Sequence, residues 1–117
     1  RTAQNKDIVT RMNGELKAYY ENSLFSESGL PSVGYFADKL HLSPNYLSDL
    51  LKKELGTGAR DYINEFLIDK AKTLLLGTNQ SVSEISYKLG FNYPHYFGRL
   101  FRIKTGMTPK EYRQMNS

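Results

Sequence analysis

The chain has 117 residues, two histidines, no cysteine and a formal net charge of +4. That length allows one domain or two very small ones, and a composition 39% hydrophobic and 24% charged excludes wholesale disorder. The absence of cysteine excludes a disulfide framework, a thiolate metal site and thiol catalysis, and two imidazoles make a histidine-rich metal cage an unsuitable reading.

Helical periodicity dominates, and no run alternates with period two over a strand length. The first helix is predicted from about Asn5 to Asn22, with Ile8, Met12, Leu16, Tyr19 and Tyr20 on one face. Leu24 to Pro31 is a break rich in Ser, Gly and Pro. Ser32 is placed as the N-cap of a short helix to Leu40 that buries Val33, Phe36, Ala37 and Leu40. Ser43-Pro44 is an N-cap followed by proline at the first helical position, where a missing N–H costs nothing. The helix it opens turns Leu47, Leu50 and Leu51 inward and ends at Gly56. A long helix follows from Ala59 to Leu76, burying Tyr62, Ile63, Phe66, Ala71, Leu74 and Leu75, with Gly77 as its C-cap residue. Ser81-Val82-Ser83-Glu84 is a capping box that starts a short helix ending at Gly90. The next helix runs from about Tyr93 to Lys104 with Phe97, Leu100 and Phe101 inward, and Gly106 after it. Thr108-Pro109-Lys110-Glu111 is a second capping box and opens a last short helix carrying Tyr112.

No apolar run approaches the roughly 18 residues of a membrane helix, and no signal peptide heads the chain. The chain does not begin with methionine and reads as a soluble, cytoplasmic piece of a longer protein. Its charge is unevenly placed. Residues 1–81 carry ten basic and ten acidic side chains, whereas residues 82–117 carry six basic ones against Glu84 and Glu111. A basic end of this kind points to an anionic partner, most commonly nucleic acid.

The sequence also matches itself. At an offset of 49, Ser32-Val33 falls on Ser81-Val82, Phe36 on Ile85, Lys39-Leu40 on Lys88-Leu89 and Leu42 on Phe91. At an offset of 50, Tyr46 falls on Tyr96, Leu47 on Phe97, Leu50-Leu51 on Leu100-Phe101, Lys52 on Arg102, Gly56 on Gly106 and Arg60-Asp61-Tyr62 on Lys110-Glu111-Tyr112. Core and cap positions agree on both sides of a single insertion, so the chain holds a duplicated unit. Each unit is a short helix, a tight turn and a second helix. In the turns His41 and Gly90 correspond, and both suit a left-handed backbone, glycine freely and histidine at some cost. That is a helix-turn-helix, whose second helix commonly enters the major groove.

The outward residues of the second helices carry the chemistry. In the second unit they are Pro94, His95, Gly98, Arg99 and Arg102. Arginine bonds a guanine edge bidentately, a pair of arginines one turn apart can divide base and phosphate work, and Gly98 leaves room for another surface. In the first unit they are Asn45, Ser48, Asp49 and Lys52. Asn and Ser can read base edges and Lys52 suits a phosphate. Asp49 can accept from a cytosine amino group, but it repels phosphate, and its simpler role is an ion pair with Lys52 or Lys53. The eighteen residues of the connecting helix span roughly 27 Å. Two major-groove segments on one face of B-DNA are separated by about 34 Å, so bending of the duplex is one way to close the gap between successive grooves.

Taken together, Ser81-Val82-Ser83-Glu84-Ile85-Ser86, Leu89-Gly90-Phe91, Tyr96-Phe97-Gly98-Arg99-Leu100-Phe101-Arg102 and Gly106-Met107-Thr108-Pro109-Lys110-Glu111-Tyr112-Arg113 resemble the signature of the AraC/XylS family DNA-binding domain. Leu42-Ser43-Pro44-Asn45-Tyr46-Leu47 and Lys52-Lys53-Glu54-Leu55-Gly56 fit its first half, and the resemblance covers residues 32–113. It implies an all-α fold of two helix-turn-helix subdomains joined by a long connecting helix, about seven helices in all. The organisation is then 1–31 as N-terminal helix and linker, 32–58 as first helix-turn-helix, 59–77 as connecting helix and 78–117 as second helix-turn-helix. The resemblance implies a bacterial transcription regulator that binds double-stranded DNA, often an activator that also touches RNA polymerase, attached to a sensing domain N-terminal to this piece and needing no cofactor for DNA binding. Its base-reading positions fall on Asn45, Ser48, Asp49, Pro94, His95 and Arg99. Two departures stand out: the family often has a basic or amide side chain where Asp49 stands, and many members carry Arg where the connecting helix has Leu67. No nucleophile, base and orienter occur together, so an enzyme is not expected. The rival reading is a helical protein-interaction module whose many tyrosines line a partner groove.

Overall fold

The computed structural model describes residues 2–116, apart from the side chains at positions 2, 3, 25 and 27. Among the described residues every regular element is helical: α1 (Thr2–Glu21), α2 (Phe25–Ser28), α3 (Val33–Lys39), α4 (Pro44–Leu55), α5 (Ala59–Gly77), α6 (Val82–Leu89), α7 (Pro94–Thr105) and α8 (Pro109–Met115). Seven of these are the expected helices. The addition is α2, a single turn inside the Ser/Gly-rich break and too short to show a period in the sequence.

The caps explain where the helices begin. Ser32 and Ser43 accept the amides of Tyr35 and Tyr46. Ser81 and Thr108 each close a full capping box with Glu84 and Glu111, the hydroxyl accepting from the glutamate amide and the carboxylate accepting from the cap amide. Gly56 and Gly106 end α4 and α7 in the left-handed conformation, with φ of 82° and 79°. Gly77 does not do this for α5; it is the last helical residue, and its φ is not positive. The carbonyls near that helix end are taken by side chains instead. Thr78 Oγ1 donates to Leu74 O at 2.6 Å, and Arg113 donates through Nε to Leu75 O at 2.9 Å and through Nη2 to Thr78 O at 3.3 Å. One of the six cations of the basic end is therefore occupied in capping a helix.

The chain forms two compact units. The first comprises the residues up to Leu24 and Pro31–Asn64, the second Phe25–Leu30 and the chain from Glu65 onward, so α5 begins in one and ends in the other. In the first unit α1 packs on α3 and α4, burying Met12, Leu16, Tyr19 and Tyr20 with Phe36, Ala37, Leu40, Leu47, Leu50, Leu51 and Ile63. The Tyr19 ring meets Tyr35 edge-on at 5.3 Å and Phe36 at 6.1 Å, and burial pushes the Tyr20 phenol well above its ordinary range. In the second unit α6 and α8 both pack on α7, and α2 packs on α6. Its core is a row of tilted and edge-on rings: Phe91 to Phe97 at 5.5 Å, Phe97 to Phe101 at 5.8 Å and Phe101 to Tyr112 at 5.5 Å. Leu67 and Ile68, absent from the expected inward set of α5, are buried here, while Tyr62, Phe66 and Leu74 are only half-buried. Truncating a core residue such as Phe97 or Leu67 to alanine costs about 2–5 kcal/mol.

Candidate nucleic-acid interface

The duplication extends to individual hydrogen bonds. In the first turn His41 N donates to Asp38 O at 3.1 Å and Leu42 N to Ala37 O at 2.9 Å; in the second, Gly90 N donates to Tyr87 O and Phe91 N to Ser86 O, both at 3.0 Å. Each second helix closes alike, Gly56 N on Lys52 O and Gly106 N on Arg102 O. His41 holds the left-handed backbone at φ 59° despite its side chain, and Gly90 holds it at φ 103°. The difference has a packing cause. A Cβ at position 90 would lie 2.8 Å from the backbone carbon and oxygen of Gly29, whereas the His41 side chain is exposed. Position 90 thus requires glycine for both its conformation and the chain segment pressed against it.

This shared frame holds α4 and α7 with their inner faces buried and their outer faces in solvent. On α7, His95, Arg99 and Arg102 are exposed and Pro94 and Gly98 are half-exposed, as the sequence predicts. Neither guanidinium is held by a hydrogen bond or ion pair among the described residues. A Cβ on Gly98 would have nothing within 4 Å, so nothing inside the protein demands glycine there. The N-cap of α7 is Tyr93, which offers no side-chain cap.

On α4, Asn45, Asp49 and Lys52 are exposed and share the outer face. Ser48 differs from expectation. It is half-buried, and its Oγ accepts the Ala59 amide at 3.1 Å, capping the start of α5 from a neighbouring helix. Its oxygen is thus engaged within the protein, and its O–H donor has no partner among the described residues. Position 58 must then be small, because a Cβ there would stand 2.8 Å from that Oγ. The second unit reverses the arrangement: Gly98 stands where Ser48 does, and Thr108 stands where Gly58 does and caps its own helix. The sequence carried a signal for this, since Gly58 leaves α5 without a side-chain cap of its own. Asp49 also departs from its simpler expected role. It makes no ion pair with Lys52 or Lys53 among the described residues and lines a shallow groove with Asn5, Tyr46, Leu50 and Lys53. Leu67, at the position where many family members carry arginine, is 2% exposed and belongs to the core.

The sequence pattern does not single out the exposed aromatics. Tyr46, Tyr87, Tyr93 and Tyr96 are all about half exposed, while Tyr19 and Tyr20 are buried. Tyr46 and Tyr96 are a matched pair in the repeat, which was the available signal. The capping glutamates are exposed, and hydrogen bonds from the Ser81 and Thr108 amides hold the Glu84 and Glu111 carboxyls below the usual carboxylate range. No group of three or more His, Asp or Glu that could hold a metal occurs among the described residues. None of their helices is long and apolar enough to cross a membrane.

Two turns with the same hydrogen bonds, each presenting a solvent-facing second helix on a buried frame, define a double helix-turn-helix domain. The family model described as "Helix-turn-helix domain" matches residues 36–115. Among curated relatives, the chain is 42% identical over 78 residues to the uncharacterized HTH-type transcriptional regulator YijO of Escherichia coli, covering 67% of this chain and 28% of that protein. Among solved structures, it resembles the C-terminal domain of AraT, a response regulator from Geobacillus stearothermophilus, with a TM-score of 0.78, 32% identity and coverage of 92% of this chain and 84% of that one. It also resembles an AraC-type DNA-binding domain protein from Chromobacterium violaceum, with a TM-score of 0.68, 26% identity and coverage of 90% and 96%. The chain belongs to the helix-turn-helix domain family of AraC type. It spans 28% of the length of YijO, and for other curated relatives the share runs from as little as 14% to 39%.

Proposed function

We propose that this chain is the sequence-reading DNA-binding domain of a bacterial transcription regulator, with α4 and α7 entering successive major grooves of one duplex. The observation that carries the reading is the open outer face of α7, where His95, Arg99 and Arg102 project from a helix whose inner face is buried. Arg99 takes a guanine edge bidentately, His95 and Pro94 meet neighbouring bases, Arg102 takes a phosphate, and Gly98 lets the duplex approach closely. On α4, Asn45 reads an adenine edge, the Asp49 carboxylate accepts from a cytosine amino group, the Ser48 O–H makes a secondary contact and Lys52 takes a phosphate. The 19 residues of α5 rise roughly 28 Å, which supports two reading units, 32–58 and 78–117, on adjacent turns of gently bent DNA. In the whole protein, residues 1–31 lead from an N-terminal sensing domain, the protein works in the cytoplasm, it touches RNA polymerase when it activates, and it needs no catalytic centre.

The test is selection from a random duplex pool at fixed salt. Enrichment of a defined motif, with Arg99→Ala relaxing one position of it, supports the reading. No enrichment, together with weak and sequence-blind binding, overturns it in favour of a protein-interaction module.

A further inference from the structure

Tyr46 and Tyr96 occupy the same place on the two outward helices. Each is the second residue after the proline that opens its helix, and the two correspond across the repeat. They are 52% and 50% exposed, so neither is a core residue. Neither phenol oxygen has a hydrogen-bond partner among the described residues. The Tyr96 ring packs on His95 at 4.2 Å and on Tyr93 at 5.8 Å, whereas Tyr46 borders a groove that Asn5, Asp49, Leu50 and Lys53 also line.

Their angular position is informative. At 100° per residue, each tyrosine lies about a quarter-turn round its helix from the centre of the outward face formed by Asn45, Asp49 and Lys52 or by His95, Arg99 and Arg102. A helix with its side chains is about 10–12 Å across and the major groove about 12 Å wide, so residues at a quarter-turn meet the sugar–phosphate walls rather than the base edges. Side chains on a helix lean toward its N-terminus, and the N-terminal turn favours an anion.

We infer that Tyr46 and Tyr96 are a matched pair of neutral phosphate anchors, one per reading unit, each donating its phenol O–H to a backbone phosphate oxygen on the wall of its groove. The inference rests on the DNA-reading function proposed above and adds to it two residues that set register without reading sequence. An uncharged donor releases no counterion, which separates these contacts from those of Lys52 and Arg102.

The experiment compares the unaltered protein with Tyr46→Phe, Tyr96→Phe and the double variant. Each is titrated against a pool-enriched duplex and a scrambled duplex of the same length over a range of salt. Phenylalanine keeps the ring and its packing, and circular dichroism checks that each variant is folded. The expected result is a loss of about five-fold per substitution on both duplexes, the size of one neutral hydrogen bond, and about twenty-five-fold for the pair if the sites act independently. The salt slope is expected to stay unchanged. Replacing one phosphate per half-site with methylphosphonate is expected to abolish the effect of the corresponding substitution. Binding by the phenylalanine variants that matches the unaltered protein overturns the inference and leaves the DNA reading standing. So does a loss confined to the enriched duplex, which would make the tyrosines base readers. Failure of the unaltered protein to bind either duplex overturns both.

Discussion

The exchange between Ser48/Gly58 in the first unit and Gly98/Thr108 in the second yields a stability prediction whose size follows from the structure. Ser48→Gly removes the hydroxyl that accepts the Ala59 amide at 3.1 Å. A lost helix cap costs about 1 kcal/mol, and glycine inside α4 adds roughly 0.5 kcal/mol relative to serine. Gly58→Thr places a Cβ 2.8 Å from Ser48 Oγ. The serine must rotate away and lose its bond to Ala59, a cost of about 1–2 kcal/mol including the displaced rotamer. Independent effects would destabilise the double variant by about 3 kcal/mol. In the double variant, however, the crowding partner is gone, and the threonine introduced at position 58 caps α5 as Thr108 caps α8. Replacing glycine at position 58, whose φ is not positive, also restricts the unfolded chain by about 0.4–1 kcal/mol. Urea unfolding followed by circular dichroism is expected to place the double variant within about 0.5 kcal/mol of the unaltered protein, a coupling of about 2–3 kcal/mol. A double variant as unstable as the sum of the singles would refute the reciprocal-cap reasoning.

Three further predictions follow from the same geometry. Gly90→Ala is expected to destabilise by about 2–4 kcal/mol, combining the left-handed backbone with a clash against Gly29, while His41→Gly is expected to be neutral or stabilising by several tenths; thermal unfolding that ranks the two the other way contradicts the turn analysis. Lys52→Ala is expected to weaken binding to all duplexes alike and lower the salt slope by about one, and Arg99→Ala to cost about 1–3 kcal/mol on the best site and relax one base pair; the check is a salt titration on enriched and scrambled duplexes. The capping carboxylates Glu84 and Glu111 have folded-state pKa values below those of the unfolded chain. Their contribution is therefore complete above the unfolded value of about 4.3 and fades as pH falls through the depressed one. Glu84→Gln is expected to unfold less steeply than the unaltered protein below about pH 4; equal acid sensitivity contradicts the assignment.

What the sequence made legible was local. Ser32, Ser43, Ser81 and Thr108 mark helix starts because a cap hydroxyl acts within its own turn, and each is found in that role. The repeat was visible because core and cap positions recur at fixed spacing, and it proved to reach individual hydrogen bonds in the turns. What escaped was set by distant partners. Arg113 reads as one more exposed cation until its bonds to Leu75 and Thr78, more than thirty positions earlier, are seen. Those bonds are also why Gly77 is not needed as a left-handed cap. Ser48 reads as an outward hydroxyl because helical spacing alone does not show that the start of α5 lies beside it. Leu67 escaped because the buried residues of α5 (Ala59, Ile63, Leu67, Ala71 and Leu75) recur at every fourth position and so wind slowly round the helix, while the bulkier Tyr62, Phe66 and Leu74 point the sequence reading to a neighbouring face; Ile68 lies beside that row. On the candidate interface, periodicity separated buried Phe97 and Phe101 from exposed His95, Arg99 and Arg102, while Leu100, expected inward, is only half-buried; Tyr46 and Tyr96 were given no special place because an aromatic at helical spacing usually belongs to a core.

The central claim is that two reading helices on one chain engage consecutive turns of the same duplex. Hydroxyl-radical footprinting of one copy of the chain on a pool-enriched site tests it most directly. The expected result is two protected windows on one face of the DNA, their centres about 10 base pairs apart, with the window assigned to α7 weakened by Arg99→Ala and the other by Asn45→Ala. A single window, or two windows that both vanish with one substitution and ignore the other, would contradict it.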